Sequence, residues 1–174
     1  MSQPTDTLDI AALKMTSGEG RRIETSVAIE PFVLSDESYD VTPSVVPVKL
    51  DLSRMTGHGY ALRLRFSTSL TGPCMRCLNP AERTFEVDAR EIDQADSDDP
   101  ELRSPYLEDG QLDLGSWARD ALLLLLPAAL LCRKDCAGLC PVCGVDLNEA
   151  GPEHQHEAGP DPRWAPLRGL FPQE

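Results

Sequence analysis

The sequence predicts an α+β protein: a small antiparallel β-sheet or partial barrel packed with one main helix, followed by a C-terminal module organised by cysteines. Three observations carry this. Short runs rich in Val, Ile, Leu and Phe, separated by Gly, Pro, Asp and Ser, fill residues 26–92. One longer apolar segment then carries a helix start signal and a proline stop. Beyond it lie turns punctuated by cysteines.

Taken in order, residues 1–25 are polar and glycine-containing, with one short apolar patch at Leu8, Ile10 and Leu13, and are expected to be weakly structured. "VAIEPFVL", "SVVPVKLDL", "YALRLRFSTSL" and "RTFEVDAREI" read as strands. In the third, Leu62, Leu64 and Phe66 point one way and Arg63 and Arg65 the other, a half-buried antiparallel strand with a basic outer face. "DQADSDDPELRSPYLEDGQ", 93–111, reads as an acidic loop too polar to fold alone. "LDLGSWARDALLLLLP" follows as one buried amphipathic helix lying on the sheet, with Asp113 as N-cap and Pro127 as stop. Sheet and helix together define a unit over 26–130, and 131–174 is a Cys/His-rich tail.

Composition narrows the function classes. The 174 residues carry a formal net charge of −13, which argues against a uniformly nucleic-acid-attracting surface. The charge is uneven. Residues 86–113 hold eleven acidic and two basic residues, net −9, whereas 49–83 hold six basic against two acidic, net +4. The N-terminal "MSQPTDTLDIAALK" lacks a basic start followed by an apolar run, and "ALLLLLPAALL" is shorter than the ~20 apolar residues a bilayer requires. The expectation is a cytoplasmic protein with no membrane partner. No phosphate loop, nucleophile elbow, HExxH or convincing carboxylate pair is present, so neither a catalytic residue nor a small-molecule substrate is assigned.

The chemistry lies in the cysteines. "CMRC" supplies Cys74 and Cys77, and "CPVCG" supplies Cys140 and Cys143. Two residues between cysteines let one tight turn aim both sulfurs at one ion, and a glycine after the second permits the positive φ such a turn needs. "CPVCG" is therefore the stronger signal. Cys132 and Cys136, and His154 and His156 of "HQH", complete eight candidate ligands, enough for one or two closed Zn²⁺ sites of zinc-knuckle type. Two groupings stand open. One is a four-cysteine site (Cys74, Cys77, Cys132, Cys136) beside a mixed site (Cys140, Cys143, His154, His156). The other is a single ribbon of Cys74, Cys77, Cys140 and Cys143. A disulfide framework is disfavoured in a reducing compartment. A redox CxxC is disfavoured because Pro80 cuts short the helix that would lower the thiol pKa. His58 reads as a turn residue.

These motifs resemble the YceD family, the large ribosomal RNA subunit accumulation proteins. The resemblance rests on "CMRCL", "LDLGSWARDALLLLLP", "LCRKDCAGLCPVCGVDLNE" and "DPRWAPLRGL" in that order. It covers roughly residues 40–170. Matching positions are Cys74, Arg76, Cys77, Cys132, Cys136, Cys140, Cys143, Asn148, Asp161 and Arg163. Where the family pattern has a second cysteine pair, this chain has "HQH", an exchange zinc tolerates. The resemblance implies a non-enzymatic role in large-subunit biogenesis, with ribosomal RNA or a pre-ribosomal particle as partner. RNA phosphate would meet the basic face of Arg54, Arg63, Arg65 and Arg76. The alternative is an adaptor whose acidic segment binds a basic ribosomal protein. A thiol oxidoreductase is the third reading.

Overall fold

The computed structural model describes residues 4–56, 59–94, 97, 99–151 and 153–156. Its elements, in chain order, are β1 (Thr7–Asp9), β2 (Gly20–Ala28), β3 (Phe32–Leu34), β4 (Glu37–Thr42), β5 (Val45–Arg54), β6 (Tyr60–Pro73), β7 (Pro80–Asp93), β8 (Leu107–Glu108), β9 (Gln111–Asp113), α1 (Leu114–Leu123) and α2 (Leu147–Ala150). All the strand pairings are antiparallel. The α+β reading of one sheet-dominated body with one main helix holds.

β6 is the spine. Along one edge it pairs β7 over its whole length, from Tyr60↔Asp93 to Pro73↔Pro80. Its other edge is shared: β5 takes Tyr60–Arg65 and β4 takes Ser69–Thr71. β2 extends the sheet beyond β5, and β3 beyond β4. The alternation along β6 sends Leu62, Leu64, Phe66 and Leu70 into the core. There they meet Val46, Val48, Leu50 and Leu52 of β5 and Phe85 and Val87 of β7. Each such side chain contributes about 1.5–3 kcal/mol when fully buried.

α1 closes this core. Leu114, Trp117, Ala118, Ala121 and Leu122 are its buried residues, the i, i+3, i+4, i+7, i+8 stripe of a core-facing helix. The Asp113 carboxylate accepts from the Ser116 N–H at 2.9 Å, the predicted cap. The helix ends earlier than the proline suggested, at Leu123. Leu125 and Leu126 donate instead to Leu122 and Leu123 at 3.1 Å, a tightened last turn, because the residue before Pro127 is kept out of the helical region. Leu124 and Leu125 consequently face solvent.

Two segments are more ordered than expected. Residues 1–25, predicted to be weakly structured, contain β1 and the start of β2. Ile10 is fully buried, and Asp6 C=O accepts from Leu114 and Gly115 at the start of α1. The apolar patch thus docks through β1 and the turn after it: Leu8 pairs with Leu112 and Ile10 N–H donates to Gly110 C=O, partners about a hundred residues away. Within the acidic 93–111 stretch, β8 and β9 form a two-residue hairpin through Asp109 and Gly110, at φ 47° and 79°. That is the type I′ Asp-Gly turn. Its tertiary anchors are buried Leu107 and Leu112, and buried Asp93 accepts from the Ser104 N–H at 3.2 Å.

Candidate metal centre

The β6–β7 hairpin ends in the first knuckle. Cys74 N–H donates to Asn79 C=O at 2.8 Å, and Leu78 N–H donates to Cys74 C=O at 2.9 Å. The second knuckle repeats this: Cys140 N–H to Val145 C=O, and Gly144 N–H to Cys140 C=O, both 2.8 Å. The fourth residue after each leading cysteine is left-handed, with φ 62° at Leu78 and 73° at Gly144. "CMRC" therefore has the same turn as "CPVCG", with an exposed leucine where glycine is easier. An L-residue in that region costs roughly 1–2 kcal/mol. Leu78→Gly should accordingly raise stability by up to about 1 kcal/mol, and Gly144→Ala, where an added Cβ meets nothing within 4 Å, should lower it by a similar amount. Urea midpoints of the two variants check this.

The hairpin tip docks on the tail. Met75 N–H donates to Leu130 C=O at 2.9 Å, Arg76 Nη1 to Cys136 C=O at 2.9 Å, and Leu139 N–H to Arg76 C=O at 3.1 Å. Gly138, at φ 80°, lies so close that a Cβ would sit 3.2 Å from Arg76 O. This docking carries Cys132 and Cys136 to the first knuckle. Cys74 Sγ lies 3.8 Å from Cys136 Sγ, and Cys77 Sγ 3.6 Å from Cys132 Sγ. All four sulfurs lie within 4.8 Å of one another, and Cys74, Cys77 and Cys136 are buried. A disulfide needs sulfurs near 2.05 Å. A tetrahedron with arms of about 2.3 Å has edges of about 3.8 Å. The cluster fits a tetrahedral ion.

Electrostatics point the same way. Burial pushes the Cys74 thiol up, but N–H groups of Cys132, Cys77 and Arg76 outweigh it and hold it at about 6. Cys132 moves to about 12: packing around its sulfur disfavours charge although the residue as a whole is exposed, and the sulfurs of Cys77, Cys136 and Cys74 add to this. Four sulfurs this close cannot all ionise without a cation between them. A divalent ion removes that conflict.

The second cluster is Cys140, Cys143, His154 and His156, with ligand atoms again within 4.8 Å of one another. Cys143 Sγ stands 3.5 Å from His154 Nε2, and the two Nε2 atoms are 3.0 Å apart. N–H groups of Cys143 and Val142, with His154, hold the Cys140 thiol at about 6. Here only Cys140 is buried. The eight residues thus come together in two sets of four, and Cys74/Cys77 and Cys140/Cys143 do not share one. Asn148 is the contributor whose role the spacing did not reveal: its Nδ2 lies 3.5 Å from Cys136 Sγ. His58, Asp161 and Arg163 lie outside the described residues.

The basic face is differently disposed. Arg63, Arg65 and Arg54 lie toward one end of β6 and Arg76 at the other. Two cross-strand rows, Arg22–Asp51–Arg63–Arg90 and Glu24–Lys49–Arg65–Asp88, interleave the charges. Arg63 grips Asp88 with two bonds of 2.7 and 2.6 Å, while Asp51 takes Arg22 at 2.6 Å and Arg65 at 2.5 Å. Arg54 lies over the Tyr60 ring at 4.4 Å. The Arg63 fork holds the Asp88 carboxyl below its ordinary value. A depressed folded-state pKa gives stability that is present above about pH 4 and is lost as pH falls through the folded value. Arg63→Ala should therefore raise the Asp88 pKa in a carbon-detected NMR titration and shrink the acid-sensitive part of stability.

A family model described as "Large ribosomal RNA subunit accumulation protein YceD" matches residues 62–171, a stretch that includes both clusters. Uncharacterized proteins of Mycobacterium bovis and Mycobacterium tuberculosis are each 42% identical over 101 residues, 55% of this chain and 48% of theirs. One of Mycobacterium leprae is 32% identical over 162 residues, 87% of this chain and 74% of its own. The chain spans about half the length of the first two relatives. No solved structure matches. No helix among the described residues is long and apolar enough to cross a membrane.

Proposed function

The chain belongs to the family of the large ribosomal RNA subunit accumulation protein YceD, and on that footing we propose that it is a cytoplasmic, non-enzymatic factor in large-subunit biogenesis. Its two Cys/His clusters hold structural zinc, and its partner is ribosomal RNA or a pre-ribosomal particle. The observation that carries the zinc assignment is the sulfur spacing of 3.6 and 3.8 Å in the first cluster. Bound zinc would supply positive charge to four converging sulfurs and cross-link hairpin to tail. Cys74, Cys77, Cys132 and Cys136 would hold one ion, and Cys140, Cys143, His154 and His156 the other. Buried sulfurs fixed by backbone N–H groups suit a structural role better than an exposed, reactive thiol.

In cells depleted of this protein, large-subunit ribosomal RNA should fall relative to small-subunit RNA, and the intact chain should restore it. An unchanged ratio would overturn the reading. The engagement of Arg63 and Arg65 with carboxylates favours a second reading of the contact, in which the acidic 86–113 segment binds a basic ribosomal protein. Both contacts weaken with salt, so charge reversal separates the two. RNA binding should weaken by about 0.7–0.9 log units per log unit of salt for each phosphate neutralised. The adaptor reading instead predicts loss of particle association on reversing Glu101, Glu108 and Asp109 to lysine.

A further inference from the structure

α2 lies between the two halves of the second cluster's ligands, after Cys143 and before His154, yet its polar side chains reach into the first cluster. Asn148 Oδ1 accepts from Ala137 N–H at 2.8 Å and from Arg133 at 2.7 Å, beside its Nδ2 contact with Cys136 Sγ. Asp146 caps α2, accepting from the Asn148 N–H at 2.8 Å and its Nδ2 at 2.6 Å. The other oxygen of Asp146 accepts from Asn79 Nδ2 at 2.7 Å, and Asn79 C=O is the acceptor for Cys74 N–H. Leu147 N–H donates to Gly138 C=O at 2.9 Å, and Leu139 pairs with Asp146 as a β-bridge. Cys136 and Cys140, one ligand of each cluster, are thus joined by three residues. Two of these, Ala137 and Gly138, are bonded directly to α2, and the third, Leu139, pairs with its cap.

We propose that Asp146 and Asn148 are positioning residues that couple the two clusters, so that an ion in either one raises the affinity of the other. The proposal rests on the zinc reading above. The second ion would fix the loop between Cys143 and His154, hence α2. α2 in turn fixes the Cys136 sulfur and the backbone following the first knuckle. Hydrogen-bonded partners of metal ligands are typically worth about 10–100-fold in affinity, the range of coupling expected here.

Metal-free full chain titrated with Co²⁺ tests this, because four-sulfur and two-sulfur/two-nitrogen sites absorb differently, and chelator competition then gives each affinity. Two ions per chain are expected. Disabling the second cluster with Cys143→Ser and His154→Ala should weaken the first about tenfold. Reciprocity requires Cys77→Ser with Cys132→Ser to weaken the second by the same factor. In an Asp146→Ala background, loss of the second cluster should leave the first within about twofold. Asn148→Ala should shift the sulfur-to-metal absorption of the first cluster, which a purely structural role would not do. In the unmutated chain, filling the second site after the first should slow amide exchange at Ala137 and Leu139. No ion bound overturns the zinc reading. Two ions with mutually indifferent affinities, or exchange at Ala137 and Leu139 unmoved by the second ion, overturn the coupling alone.

Discussion

If both clusters hold zinc as proposed, Cys136→Ser should remove one of the two ions and destabilise the fold by about 3–5 kcal/mol, the range seen when one partner of a buried charged group is lost. Cys136 is 1% exposed, so the lost sulfur is not replaced by water. Cys74 and Cys77, both buried, would be left converging with one sulfur fewer to hold an ion. Structural zinc supplies an apparent ~10–16 kcal/mol in small metal modules, comparable to the ~5–15 kcal/mol net stability of a domain. Native mass spectrometry counts the ions, and urea denaturation reads the stability. Cys143→Ser, at an exposed ligand, should cost the second ion with a smaller loss of stability. A Cys136→Ser chain with two ions and an unmoved urea midpoint would remove the four-cysteine site.

Trp117→Ala should cost about 3–5 kcal/mol, the usual range for deleting a buried aromatic from a core. Trp117 is 2% exposed and stacks on Tyr106 with ring centroids 6.2 Å apart. The Tyr106 hydroxyl donates to Asp120 on the same helix at 3.1 Å, and burial with the Asp120 carboxylate pushes its pKa to about 12. Removing the indole therefore opens a cavity and frees the segment joining the acidic loop to α1. A drop of roughly 10 °C in melting temperature follows for a chain of this size. Leu124→Ala, at an 86% exposed position four residues beyond Asp120, should move stability by no more than about 0.5 kcal/mol. Equal effects from the two variants would mean that α1 does not pack as described.

Much of this was legible in the sequence because the signals were local. The alternation at Leu62–Phe66 needs only the two-residue period of a strand, and Asp113 only a capping side chain. The grouping of Cys74 with Cys136 could be weighed because a cysteine pair at a strand end needs a distant partner, and Cys132 and Cys136 emerge from the helix end. What escaped depended on distant partners. Leu8 and Ile10 look like a stray patch until β9 and the Gly110 turn are beside them. Arg63 and Arg65 look like a basic surface until Asp88 and Asp51 are placed across the strands. The Asp109–Gly110 hairpin was readable from its dipeptide, but was obscured by the acidic residues around it. Leu78 gave no warning of its backbone conformation, because nothing in a leucine announces a left-handed turn.

One continuous strand links the arginine-bearing end of the molecule to the sulfur-bearing end. The fourteen residues of β6, paired with β7 from end to end, span at most about 43 Å when fully extended. The protein is in this respect a ruler: two ligands seated at its opposite tips would not collide, and the gap between them would be set by the length of a hairpin.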